Sequence, residues 1–510
     1  MKKKVMFSTH GLVEGDFGYI TDEKGFPTNV VTQKNVITGQ DTGGQVYYVK
    51  ALATSSASYD VDLVTRRVDP RICPQFGGTY KDLGDDINYE VEVQWHNAGK
   101  INSRVLRVPA GKSFAFVPKE EIVPFLPELV DNLFEFYKKE GSLRDIEVVE
   151  GHYRDGMLAA DMLCTKIEKE LGRRPIMLVT SHSLGHKKYE RCLPLYQEQH
   201  LISEDEWKWH NFEARIEHEK YGFEKADIII ATSPDEATRL EKAPYLQDKS
   251  KITIIPPGYN DKVFAALSKQ EKNKLKYQFE YKDLDGVTQH VNLTGKKVVS
   301  SLGRVVRDKG FSELSRSMAE LMKEDNSLVY MVSAEKGNPV TDECREILKD
   351  YQDRVIFLPS LNQAEMARVY NVSTIFVMSS LNEAFGMVPI EAMGCHTAVI
   401  VGRSGFNDFA GCADIRDVSQ DFSKAIGIYA PSEEKHRWRQ VNALKLLLGD
   451  EVLCDQIAEN GYNYVKSNLT WESISAKKDE LVYKALQART TELAANADFS
   501  LTDLDRAKQR

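Results

Sequence analysis

The sequence predicts an α/β protein of two large domains, each a doubly wound parallel sheet with helices on both faces. Three observations predict it. At 510 residues the chain exceeds what one hydrophobic core organises. Short β-branched runs alternate with helix-length segments, as they do when crossover helices join parallel strands. The alternation also stops after Phe264 at a charged stretch and then restarts.

The first series of strands reads KVMFST, VDLVT, RVLRVP, IEVVEGH, IMLVTSH, DIIIATS and KITIIPP, with helices expected at 120–139, 155–171 and 206–226. LSKQEKNKLKYQFEYKDLDGVTQH follows as a helix and connector. The second series reads KKVVSSLGR, SLVYMVS, RVIFLP, STIFVMSS, TAVIV and AIGIYA. This places one domain at 1–265 and a second at 266–470, with the C-terminal ends of their strands expected to face each other across a ligand cleft. The remainder, 471–510, is expected to form a C-terminal helix that packs back toward the first domain. Its last dozen residues, with TDLDRAKQR, should fray.

Composition excludes several function classes. Hydrophobic residues are 42% and charged residues 28%, ordinary values for a globular protein. A net charge of −9 argues against a nucleic-acid partner. No apolar run approaches the roughly 18 residues of a membrane span. The start, MKKKVMFSTHG, is too short in apolar residues for a signal peptide and reads as a first strand. Seven cysteines, an odd number without a CxxC pair, predict reduced thiols, a cytoplasmic protein and no zinc site. The Asp-x-Asp strings at Asp60–Asp62, Asp283–Asp285 and Asp503–Asp505 read as incidental, so no metal site is expected.

Two stretches carry the chemistry. ITGQDTGGQVYYVKAL places Gly39, Gly43 and Gly44 just before an apolar-rich run. Glycines there let backbone approach a phosphate or a sugar, or else simply make a turn. SSLNEAFGMVPIEAMGC puts Glu383 in a loop after a strand ending at Met378, with a helix starting near Gly386–Met387 and Glu391 about one turn inside it. Free amides at that helix start favour a phosphate. Two acceptor carboxylates beside it suit the hydroxyls of a nucleotide sugar, unless Glu391 merely pairs with a surface lysine.

Taken with SSLGRVVRDKGFSEL, FSTHG and SHSLGHKKYE, these stretches occur in an order that resembles the retaining glycosyltransferases of the GT-B architecture, two Rossmann-like domains facing across a cleft. The chain resembles most the sucrose-phosphate synthase and sucrose synthase group, over residues 5–480. The resemblance implies that Arg304 and Lys309 hold the donor diphosphate, that Glu383 contacts the donor hexose and that Glu391 contacts the ribose. It implies that Phe385, Gly386, Met387 and Gly44 complete the donor site and that His182 lies near the transferred sugar, with His182, Arg304, Lys309 and Glu383 as catalytic residues. On the acceptor side it implies His10, Gly43, Gln45 and Lys188, with Lys119, Tyr153 and Arg215 around an acceptor phosphate. A bidentate guanidinium and an ammonium are well suited to neutralise a leaving diphosphate.

The implied reaction moves a hexosyl group from a nucleotide sugar to a small sugar or sugar phosphate with retention, without metal or cofactor. UDP-glucose and fructose 6-phosphate are the implied pair. Departures leave the substrates open. GRSGFNDFA stands where the group has Gly-Gly-Pro-x-Glu, so Phe406 and Asn407 would reshape the hexose end of the donor pocket. AEKGNP replaces a glycine-rich turn, and EAFG is closer to the sucrose synthase form than to EPFG. ADP-glucose or GDP-mannose as donor, and an unphosphorylated or different acceptor, stay open. Two readings from other classes are an oxidoreductase and a catalytically idle sugar-binding relative. The first lacks the Gly-x-Gly-x-x-Gly it needs after a strand. The second would have no reason to keep Arg304, Lys309, Glu383 and Glu391 together.

Overall fold

The computed structural model describes residues 2–9, 20–21, 27–28, 44–67, 90–96, 101–111, 117–198, 203–381, 383–431 and 437–508. The chain divides into two compact units. One comprises Met1–Ala231, Glu236–Ile255 and Ser475–Arg510; the other comprises Thr232–Asp235 and Pro256–Ile474. Among the described residues, no helix is long and apolar enough to cross a membrane.

The first unit is built on an eight-stranded sheet. In spatial order its strands are Ile252–Ile254, Ile228–Ala231, Ile176–Thr180, Ile146–His152, Lys3–Phe7, Asp60–Arg66, Ile101–Val108 and Glu90–His96. Every neighbouring pair is parallel except the last, where Glu90–His96 runs antiparallel to Ile101–Val108. Lys3–Phe7 and Ile176–Thr180 are buried along their whole length because helices cover both faces. One cover helix, Leu126–Glu140, packs Leu129, Val130, Leu133 and Tyr137 onto the sheet and ends at Gly141 in the left-handed conformation.

The sheet also buries charge in its first strand. Lys3 Nζ lies 3.0 Å from Asp62 Oδ2, and Lys4 Nζ lies 2.7 Å from Asp479 Oδ1. Asp62 accepts further bonds from Arg104 and the Tyr137 hydroxyl. One member of an Asp-x-Asp string that looked incidental is thus a fully buried anchor between three strands and a cover helix.

The second unit has a seven-stranded sheet, all parallel. Its order is Val355–Leu358, Leu328–Ser333, Lys297–Ser301, Ile375–Met378, Ala398–Val401, Ile428–Tyr429 and Ala413–Asp414. The helix Lys269–Tyr277, opened by a capping box of Ser268 and Glu271, and a hairpin of Phe279–Lys282 with Thr288–Val291 precede this sheet.

In each sheet the strands set off in opposite directions from a central switch point: between Lys3–Phe7 and Ile146–His152 in the first, between Lys297–Ser301 and Ile375–Met378 in the second. Ligands of doubly wound sheets bind at the carboxyl ends of the strands beside such a reversal. His152 and Tyr153 follow from one reversal, Arg304 and Ser379–Glu383 from the other.

Two expected elements differ. The helix expected at 206–226 is two helices, Glu204–His210 and Phe212–Lys225, broken at Asn211 with φ 42°. Asparagine tolerates that left-handed backbone where most residues do not. The last helix runs Trp471–Lys508, so the tail expected to fray is helical almost to its end.

Candidate active site

In the second unit, the turn after strand Lys297–Ser301 lies against the loop after strand Ile375–Met378. Leu381 N donates to Asp308 O at 2.8 Å, and Ser379 Oγ donates to Lys309 O at 2.7 Å. Gly310 makes this approach possible: its φ is 67°, and a Cβ there would fall 2.2 Å from Ser379 O. The result is a direct ion pair between Lys309 Nζ and Glu383 Oε2, two residues 74 apart in sequence. Arg304 stands exposed in the same turn and makes no ion pair among the described residues.

Gly386, with φ 90°, turns the loop into the helix Val388–Gly394, whose start has no side-chain cap. Glu391 lies one turn inside that helix and is buried, not paired with a surface lysine. Burial pushes its carboxyl up to about 8, opposed by the neighbouring Tyr370 hydroxyl, and its Oε2 has no hydrogen-bond partner among the described residues. A buried carboxyl with an unmet oxygen is poised to meet a polar ligand group.

GRSGFNDFA forms a helix start of its own. Ser404 caps a short helix, Gly405–Ala410, and Phe406 is fully buried with its ring edge-on to Phe385, centroids 5.8 Å apart. Phe406 therefore packs against Phe385 within the core. Asn407 spends its backbone N–H on the Ser404 hydroxyl.

In the first unit, Lys119, Tyr153, Lys188 and Arg215 converge from four separate segments. The Tyr153 ring has the Arg215 guanidinium 4.8 Å and the Lys119 ammonium 5.8 Å from its centroid. Arg215 is buried and tied by Nε to Glu219 at 2.8 Å and by Nη2 to Ser183 O at 2.6 Å. Lys188 Nζ lies 3.3 Å from His210 Nδ1. Burial first, then repulsion from Arg215 and Lys119, lowers the Lys188 ammonium to about 8. Two cations thus stand over one ring, with Lys188 close enough to both to feel their charge. Tyr153 holds φ 64°, an unusual backbone for a non-glycine residue and of the kind that clusters at functional sites.

Gly44 opens the helix Gly44–Ser55, and Gln45 is half-buried with its Nε2 lacking a partner among the described residues. Tyr48, one turn on, presents its ring edge to His182 with centroids 4.7 Å apart. His182 has φ 57°, and its Nε2 lies 2.9 Å from His152 Nδ1. His10 and Gly43 lie outside the described residues. Sequence reasoning missed His152, Glu150 and Tyr48, although IEVVEGH ends at the first reversal and its last residue was the one to examine.

Residues 287–464 match the family Glycosyl transferases group 1. A mannosylfructose-phosphate synthase of Agrobacterium fabrum is 29% identical over 72% of this chain and 72% of its own. A probable sucrose-phosphate synthase of Thermosipho melanesiensis is 27% identical over 87% of this chain and 91% of its own. The solved sucrose-phosphate synthase of Thermosynechococcus elongatus superposes with a TM-score of 0.63 at 22% identity, covering 96% of this chain and all of that one. The chain has the GT-B fold, carries a match to the glycosyl transferases of group 1, and is similar to sucrose-phosphate synthases.

The family match lies within the unit that holds Arg304, Lys309, Glu383 and Glu391. Among the described residues no cluster of three or more His, Cys, Asp or Glu could hold a metal ion. The six described cysteines, Cys164 through Cys454, are free and buried.

The buried Glu391 gives a test that needs no substrate. The folded protein holds its proton up to about pH 8, while an unfolded glutamate releases it near 4.5. Between those values the native state binds more protons, so stability is greatest below the window and falls as pH rises through it. Relative to a Glu391→Gln variant, the wild type should lose on the order of 3 kcal/mol between pH 5 and 8, at about 1.4 kcal/mol per unit. Thermal unfolding of both proteins at the two pH values checks this. Parallel pH dependences would show that Glu391 ionises freely.

Proposed function

We propose that this glycosyltransferase moves a hexosyl group, with retention of configuration, from a nucleotide sugar to a small sugar phosphate. The implied pair is UDP-glucose and fructose 6-phosphate. The observation that carries the sugar-phosphate reading is the gathering of Lys119 and Arg215 over the Tyr153 ring with Lys188 beside them. A neutral acceptor gives no reason to gather three cations and bury one of them. The names of the two relatives, each a synthase of a phosphorylated product, agree with it.

On the donor side, Arg304 and Lys309 neutralise the departing diphosphate. The Lys309–Glu383 pair opens when donor binds, so that Lys309 turns to phosphate and Glu383 to a hexose hydroxyl. Glu391 meets the ribose with its unmet oxygen. In this reading no enzyme carboxylate attacks the anomeric carbon, unlike in a retaining hydrolase. The diphosphate leaves, an oxocarbenium-like species forms, and the acceptor hydroxyl enters on the face the diphosphate left. Its proton passes to a leaving phosphate oxygen. The rate comes from stabilising developing negative charge, and the residues need supply no metal for that step.

A second reading concerns the hexose. The mannosyl transfer named for the Agrobacterium relative, and the buried Phe406 behind Phe385, keep a mannosyl donor in play. A donor-by-acceptor screen settles both points. UDP-glucose, ADP-glucose and GDP-mannose are each offered with fructose, fructose 6-phosphate, glycerate and glycerol 3-phosphate, and products are weighed by mass spectrometry. A phosphorylated disaccharide is expected. Turnover confined to fructose, or to non-sugar acceptors, would overturn the proposal.

A further inference from the structure

We propose that Arg154 is a positioning residue that holds the turn carrying Lys119 and so sets its ammonium for the acceptor phosphate. This rests on the reading that Lys119 meets that phosphate.

Two consecutive residues in the first turn of the helix Tyr153–Leu171 hold Lys119 at both ends. Arg154 Nη2 donates to the Lys119 carbonyl. The Tyr153 ring centroid lies 5.8 Å from the Lys119 ammonium. Lys119 itself belongs to a turn at residues 119–121, outside any helix or strand. Glu121 N closes this turn on Pro118 O at 2.9 Å, and Glu121 Oε1 accepts from the exposed Trp209 at 3.3 Å. The bond from Arg154 ties the turn to the buried side of the unit. A lysine stem is long and flexible, so its ammonium is placed only as well as its backbone is.

Stability does not account for Arg154. The residue is 4% exposed, forms no ion pair among the described residues, and its Nε has no hydrogen-bond partner there. It also lies in the first turn of a helix, where the backbone dipole disfavours a cation. Its charge reaches His218 on the helix Phe212–Lys225, whose imidazole is pushed down by burial first and by Arg154 next. A buried cation in this setting costs free energy that an apolar side chain of similar size does not. Its side-chain hydrogen bond among the described residues is the one to Lys119.

Thermal melts, kinetics and a substrate-free signal test this together. Arg154→Met and Arg154→Gln should melt no lower than wild type, since neither breaks an ion pair. In both, KM for fructose 6-phosphate with the best donor should rise about 10-fold, the scale of one hydrogen bond to a charged group, with kcat little changed. In a Lys119→Met background the same substitutions should add less than about 2-fold, because Arg154 acts through Lys119. The place of Lys119 is read without substrate by ¹³C-methylating the lysines and assigning its methyl signal with Lys119→Arg. In wild type the Tyr153 ring should displace that signal from those of exposed lysines, and in Arg154→Met the displacement should be lost. A variant that fails to fold or melts well below wild type overturns the proposal. So does an unchanged Lys119 signal, or an equal rise in KM with and without Lys119. If Lys119→Met leaves KM for fructose 6-phosphate unchanged while the methyl signal moves as expected, the acceptor-phosphate reading fails, whereas the hold of Arg154 on Lys119 is upheld.

Discussion

Arg304→Ala should lower kcat about 100- to 1000-fold while the folded protein melts as the wild type does. The magnitude is that of removing one group aimed at charge developing in a transition state. The intact fold follows from the surroundings: Arg304 is exposed in the turn after strand Lys297–Ser301 and makes no ion pair among the described residues. Removing it leaves no buried charge behind. Because the diphosphate bears more charge as it leaves, kcat should fall further than donor affinity does. Steady-state kinetics with the best donor, beside a thermal melt, checks it. Near-normal turnover in a folded Arg304→Ala protein would remove Arg304 from the mechanism.

The second large effect is expected at Lys188. Its ammonium stands beside Lys119 and Arg215, is lowered to about 8, and faces Glu120, Cys192 and His210. A sugar phosphate, with a second pKa near 6, reaches this cluster at pH 7 mostly as a dianion. A hydrogen bond between charged groups contributes about 1.5–3 kcal/mol, so Lys188→Met should lower kcat/KM for a phosphorylated acceptor about 10- to 100-fold. An unphosphorylated acceptor should be affected little. Direction with pH follows from the lowered pKa. Lys188 is charged below about 8 and loses its proton above it. The KM of wild type for the phosphorylated acceptor should therefore rise above pH 8, and in Lys188→Met that rise should vanish. Equal losses with both acceptors would show that Lys188 supports the fold and not a phosphate.

The sequence revealed most of the fold because the strands are buried on both faces. IMLVT and AVIV are unbroken apolar runs that no surface element would tolerate. Glu90–His96 escaped notice for the opposite reason: EVEVQWH alternates polar and apolar residues, as an antiparallel edge strand does. The break at Asn211 lies within a continuous helical pattern, and only the backbone shows it. Lys3 and Lys4 looked like a basic tip, yet their partners Asp62 and Asp479 are contributed by distant segments.

The candidate site divides in the same way. Glu383, Phe385, Gly386 and Glu391 share one short stretch that leaves a strand at a reversal of the sheet, so spacing and chemistry can be read together. The pairing of Lys309 with Glu383 needed the close approach that Gly310 allows. Lys478 and Glu150 are 328 residues apart, and nothing in either local sequence announces the other. Long-range pairs of buried charge are invisible to periodicity because each member sits in an otherwise ordinary element.

The central claim is that positive groups of the second unit seat the diphosphate of a nucleotide sugar. Isothermal titration of UDP, ADP and GDP, each beside its parent nucleoside, into wild type and Lys309→Met tests it most directly. One diphosphate should bind wild type far more tightly than its nucleoside does, and Lys309→Met should erase most of that difference. Wild type that binds no nucleoside diphosphate, or a preference that survives Lys309→Met unchanged, would contradict the account.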